Sequence, residues 1–118
     1  MIELATLPLL VADFVKGKPV VRRSSQWPKT QREFLRLHPF CRVCRSKEKL
    51  EVHHVVPVHV DRSLELVVTN LLTLCRAHHL LFGHLGDWKS WNENCKQDCE
   101  DWAYKIVTRP RLPAKLAA

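Results

Sequence analysis

The most constraining feature of this chain is a repeated spacing. Cys41-Arg42-Val43-Cys44 is followed, thirty residues further on, by Cys75-Arg76-Ala77-His78. Two residues between ligands let a tight turn aim both side chains at one ion, and zinc takes four soft or borderline ligands at tetrahedral corners. A lone C-x-x-C is ambiguous, because it is also a redox motif. A second pair of the same geometry makes structural zinc the leading account of Cys41, Cys44, Cys75 and His78. Such an ion would help hold together a chain of only 118 residues, which has room for one modest core.

The cysteine count agrees. Five is odd, and the apolar start, Ile2 to Val15, carries Glu3 and Asp13 and lacks a basic lead-in, so it does not read as an export signal. Metal binding in a reducing compartment fits better than a disulfide framework. No apolar run approaches the roughly 20 residues a membrane helix needs, and the expectation is a soluble, cytoplasmic protein. With 46% hydrophobic and 26% charged residues the composition is that of a folded domain, which excludes a disordered chain.

A helix is expected from about Pro28 to His38, with Pro28 in the first turn, Thr30 and Glu33 at capping-box spacing, and Pro39 ending it. Leu50 to Val56 reads as a strand closed by Pro57. Leu66-Val67-Val68 and Leu71-Leu72-Thr73-Leu74 look extended, and a helix should begin after Cys75. Ser90-Trp91-Asn92-Glu93 has capping-box form, and Trp88, Trp91, Cys95, Cys99, Trp102 and Ile106 recur at helical spacing. Inside that aromatic stripe Cys95 and Cys99 read as small core residues rather than ligands.

Between the two metal-binding pairs lie most of the histidines. Six of seven fall between His53 and His84, and the order is Val52-His53-His54-Val55-Val56-Pro57, then Asn70, then Cys75 to His79. This combination resembles the HNH (His-Asn-His) endonucleases of the ββα-metal superfamily, in the zinc-ribbon type common in phages and prophages. The likeness runs from about Ser24 to His84. It implies a small α+β fold, with a ββα-metal core on a zinc-ribbon scaffold and flanking N- and C-terminal helices. Divided accordingly, residues 1–23 are an arm, 24–85 the zinc-binding nuclease core and 86–118 a C-terminal helix packing on it, all one domain.

By the resemblance, His54 is the general base on the attacking water, His53 and His79 ligate one catalytic divalent metal (Mg²⁺, Mn²⁺ or another divalent transition metal), and Asn70 braces the site. The products would carry 5′-phosphate and 3′-hydroxyl ends. His78 stands where the family more often has a cysteine, so His78 and His79 are open to exchanging roles. The chemistry is coherent in its own right. Hydrolysis of a phosphodiester needs a base and a positive charge against the developing anion, and an imidazole titrating near about 6.5 is available as a base at neutral pH. Adjacent positions on a strand face opposite ways, so His53 and His54 require a strand end or bulge to serve one site. His59 and His84 match no part of the pattern and read as surface residues.

The net charge of +7 is concentrated: Lys16 to Lys49 holds eleven basic and two acidic residues, or +9, leaving −2 for the rest. Beside a metal cluster this stretch points to a phosphate backbone. The expected partner is DNA, which by the resemblance would be met across its minor groove, with Arg22, Arg23, Lys29, Arg32, Arg36, Arg42 and Arg45 as backbone contacts. The alternative is a non-catalytic zinc-ribbon DNA-binding module, which would keep the zinc ligands and basic face but have no use for His54 or His79. One site per chain allows nicking by a monomer or double-strand cleavage by a dimer, and both stay open at this level.

Overall fold

The computed structural model describes residues 22–114, together with the backbone of a two-residue antiparallel ladder, Phe14–Val15 (β1) on Lys18–Pro19 (β2). Most of the expected arm therefore lies outside the described residues. From there the order is helix α1 (Trp27–Leu37), strands β3 (Leu50–His54) and β4 (Leu71–Cys75), a single helical turn α2 (Arg76–His78) running into a wide π turn (His79–Gly83), and helix α3 (Cys95–Val107).

Helix α1 begins at Trp27, one residue before the expected start at Pro28, and the Thr30–Glu33 capping box does not form its N-terminus. Thr30 lies inside it, and the N-cap Gln26 makes no side-chain cap. Instead the Ser24 hydroxyl accepts from the Gln26 amide at 3.1 Å, and the Ser24 carbonyl accepts from Trp27 at 3.0 Å. The helix stops at Leu37 because His38 precedes a proline and leaves helical geometry at φ −130°, ψ 71°. It buries Trp27 and Phe34, two turns apart, against Val52 and Leu71. Lys29, Arg32, Glu33 and Arg36 remain on its exposed face.

Strands β3 and β4 pair antiparallel with His53 opposite Leu72 and His54 opposite Leu71. Leu71 to Leu74 are all buried, because both faces of this hairpin are covered. One face joins the α1 cluster, and the other places Leu72 and Leu74 with Cys41, Val43, Cys95 and Cys99. The linking segment contains two short 3₁₀ turns, Arg62–Leu64 and Val68–Asn70, so Val68 is in a turn and not in the extended run expected of Leu66 to Val68.

The C-terminal stripe is split. Helix α3 starts at Cys95, so Trp88 and Trp91 belong to the preceding loop, and the Ser90–Glu93 box is not its cap. Cys95 and Cys99 are fully buried, as expected of core residues, but Trp102 and Ile106 are about half exposed. No helix among the described residues is long and apolar enough to cross a membrane.

Candidate metal centres and active site

Two clusters of ligand atoms form at the ends of the hairpin. In the first, Cys41, Cys44, Cys75 and His78 bring their sulfur and nitrogen atoms within 4.8 Å of one another. Cys44 Sγ lies 3.9 Å from Cys75 Sγ, and His78 Nδ1 lies 3.3 Å from Cys75 Sγ and 3.6 Å from Cys41 Sγ. Zinc–sulfur bonds of about 2.3 Å at tetrahedral angles place two sulfurs roughly 3.8 Å apart, so this donor set fits a structural zinc. Arg45, at φ 62°, turns the chain sharply after the first pair. Burial pushes the Cys41 thiol up, but the backbone amides of Cys44, Cys75 and Val43 and the His78 ring outweigh it and hold it down to about 6. Cys41 is thus set to carry a thiolate at neutral pH, whereas burial and the neighbouring cysteines raise the Cys44 thiol.

The second cluster is His53, His79 and His84. His79 Nδ1–H donates to Glu51 Oε1 at 2.9 Å, and His84 Nδ1–H donates to the Ser90 carbonyl at 2.7 Å. Those partners fix both tautomers, leaving the Nε2 lone pairs facing each other at 3.2 Å. Two facing lone pairs repel unless a cation lies between them. Zinc-like bonds of about 2.0–2.1 Å put two ligand nitrogens roughly 3.3 Å apart, so the spacing fits one metal ion. His53 supplies the third ring: it is 2% exposed, and its Nε2 is buried without a hydrogen-bond partner among the described residues. Burial first, then the neighbouring imidazoles, holds His53 down to about 3, so it is neutral at pH 7. Burial also lowers His79, against the opposing pull of Glu51.

His84 is not the surface residue that the sequence suggests, since it joins His53 and His79. Five residues after His79, it would be turned away on a regular α-helix. The π turn widens the backbone so that the two rings meet, and such bulges are frequent at functional sites. Gly83 makes room for the arrangement, because a Cβ there would lie 2.9 Å from the His53 ring. Glu51 was missed too. It also accepts from Arg76 at 3.1 Å, and the alternation Glu51–His53 along one strand face was the available signal.

His54 resolves the strand problem by ending β3. Its ring turns from the triad to stack on Trp27 at 4.5 Å, yet both His53 and His54 line one cavity of about 280 Å³. His54 Nε2–H donates to the Glu65 carbonyl at 2.9 Å, so the lone pair sits on Nδ1, where Arg23 approaches at 3.3 Å. Burial lowers its pKa and keeps it neutral at pH 7. Asn70 is buried behind the pair: its side chain accepts from the Val56 amide at 2.8 Å and donates to the Val56 and Leu64 carbonyls. It thereby ties the loop after β3 to the turn before β4.

Residues 41–81 match the HNH endonuclease family. No curated protein and no solved structure matches the chain. The matched segment contains both Cys/His pairs, the two strands and His79, and the match supports a nuclease-type function with a nucleic-acid substrate. The segment ends before His84, which completes the second cluster, and before Ser90, whose carbonyl orients His84. Asn92, buried, receives the chain by donating from its backbone to the Gly83 carbonyl and from its side chain to the Phe82 carbonyl.

The basic residues do not form one face. Arg23 lines the histidine cavity, whereas Arg42 and Arg45 line a separate groove of about 780 Å³ between α1 and α3. Arg42 pairs with Glu100 at 3.5 Å and Arg36 with Glu33 at 3.0 Å, while Lys29 and Arg32 are exposed on α1. The Arg22 carbonyl accepts from Arg62 at 3.1 Å, anchoring the start of the described segment.

Proposed function

We propose that the protein is a metal-dependent DNA endonuclease that hydrolyses phosphodiester bonds, with Cys41, Cys44, Cys75 and His78 holding structural zinc and His53, His79 and His84 holding one catalytic divalent metal. The observation that carries this reading is the triad of imidazoles, whose ring nitrogens converge beside a fourth imidazole, His54. A binding module needs no such convergence. An all-nitrogen donor set favours Mn²⁺ or another divalent transition metal over Mg²⁺, which prefers oxygen. When bound, the ion supplies Lewis-acid stabilisation of charge on phosphate oxygens and the leaving group.

The chain's own residues do the rest. His54, its tautomer set by the Glu65 carbonyl, accepts a proton from water at Nδ1. Arg23, in contact with that nitrogen, is placed to transfer its hydrogen bond to an incoming phosphate. Glu51 holds His79, and Asn70 keeps the loop after β3 closed. Cleavage on the side that leaves 5′-phosphate and 3′-hydroxyl ends follows the family likeness. The test is incubation of pure protein with supercoiled plasmid and Mn²⁺ or Mg²⁺, alongside an EDTA control. Metal-dependent relaxation or linearisation is expected; DNA binding without cleavage under every divalent metal would instead leave the zinc-ribbon binding module.

A further inference from the structure

The family match and the mechanism above leave Trp88 without a role. It sits in the loop after His84, not on the helix, and 42% of it is exposed. Its ring lies 5.0 Å from His79 and 4.9 Å from His84, against the metal triad. The two imidazoles and the Arg76 guanidinium cover part of the indole and leave the rest in water. The Arg76 guanidinium lies 4.5 Å over the ring, held by Glu51, and extends the stack toward solvent. Aromatic faces and guanidinium planes are the surfaces on which unstacked bases rest.

The surrounding cavity matches a nucleotide in charge as well. Trp88 and Trp91 share its lining with five histidines (His53, His54, His59, His79 and His84), Arg23 and Lys89 add cations from two separate chain segments, and among the described residues no carboxylate lines it. A base inside a duplex is already sandwiched between its neighbours and faces its partner, so it gains nothing from Trp88. An unpaired base gains a stack.

We infer that Trp88 is a base-stacking wall of the catalytic pocket, and that the preferred substrate is a strand whose base beside the scissile phosphate is unpaired: single-stranded nucleic acid or a locally opened duplex. This rests on the nuclease reading of the same pocket, and binding measurements separate the two. Fluorescence anisotropy of the zinc-loaded protein, with no catalytic metal added, would compare an oligothymidylate, an abasic oligomer of equal length and a duplex. The oligothymidylate should bind roughly 5- to 150-fold more tightly than the abasic strand, the worth of one aromatic–base stack. Trp88→Leu should erase that ratio and Trp88→Phe should retain most of it, with zinc content checked in each. Equal binding of the two single strands by the unmodified protein, an unchanged ratio in Trp88→Leu, or tighter binding of the duplex would overturn the inference. Failure to hydrolyse bis(p-nitrophenyl) phosphate or any DNA with added metal would overturn the nuclease reading, leaving the binding ratio to decide the stack.

Discussion

The two metal-binding clusters are neighbours in the chain, with His78 in one and His79 in the other, yet their surroundings push in opposite directions. Around Cys41, backbone amides favour the charged thiolate. Around His53, burial disfavours charge and keeps a neutral donor. The first cluster supplies four ligands from two tight turns and closes its coordination shell. The second supplies three and opens onto a cavity that also holds His54 and Arg23. An ion with a full set of protein ligands can only brace; one with a vacant position can bind phosphate and water. On the function proposed above, one short segment, Cys75 to His84, would serve structure on one side and chemistry on the other.

Breaking the first cluster should have the larger effect. Cys75→Ser removes a ligand shared between strand and turn, and zinc content and the thermal transition should fall together, because binding energy in such sites is folding energy. A variant that melts like the unmodified protein would show that the cluster does not brace the fold.

Removing the base should leave the first cluster untouched. His54→Ala should lower cleavage by about 10²- to 10⁴-fold, with zinc content and DNA affinity near their original values and no rescue by any metal. His79→Ala should also lose cleavage, but excess Mn²⁺ should partly restore it. Cleavage by His54→Ala at the original rate would remove His54 from the mechanism.

A smaller change sharpens the contrast further. Glu51→Gln keeps the shape but weakens the hold on His79, and should reduce catalytic-metal affinity by about 10- to 100-fold while zinc stays bound. Calorimetric titration with Mn²⁺ would read it directly, and an unchanged affinity would separate Glu51 from the site.

Acid should also discriminate. His53 titrates near about 6.5 when unfolded and at about 3 in the fold, so between those values the unfolded chain binds the additional proton. Stability of protein without the second metal should accordingly fall as pH drops from about 6.5 toward 3, and His53→Leu should flatten that slope in urea titrations. Smallest of all, Arg32→Ala should weaken binding to unrelated DNA sequences about equally and reduce the salt slope by roughly one unit.

Much of this was legible because metal ligands and strand residues announce themselves by local spacing. The two pairs, the hairpin around His53 and Leu72, the helix stopped by Pro39 and the buried Cys95 and Cys99 all follow from neighbours within a few positions. Helix α3 was placed too early because Trp88 and Trp91 continue its spacing, although the loop carries them to the histidine cavity instead. Arg42 and Arg45, beside Cys41 and Cys44 in sequence, line a groove separate from the histidine cavity.

The chain alone thus pointed to Cys41, Cys44, Cys75 and His78 as one possible ligand set and to His53 and His79 as part of a second, interleaved with it. Only the tertiary structure decided that His84 belongs with His53 and His79, since a π turn, the absence of a side chain at Gly83 and the returning Ser90 carbonyl together bring it there. None of these is encoded in ligand spacing, because an i,i+5 pair meets only when the backbone between them departs from the regular helix.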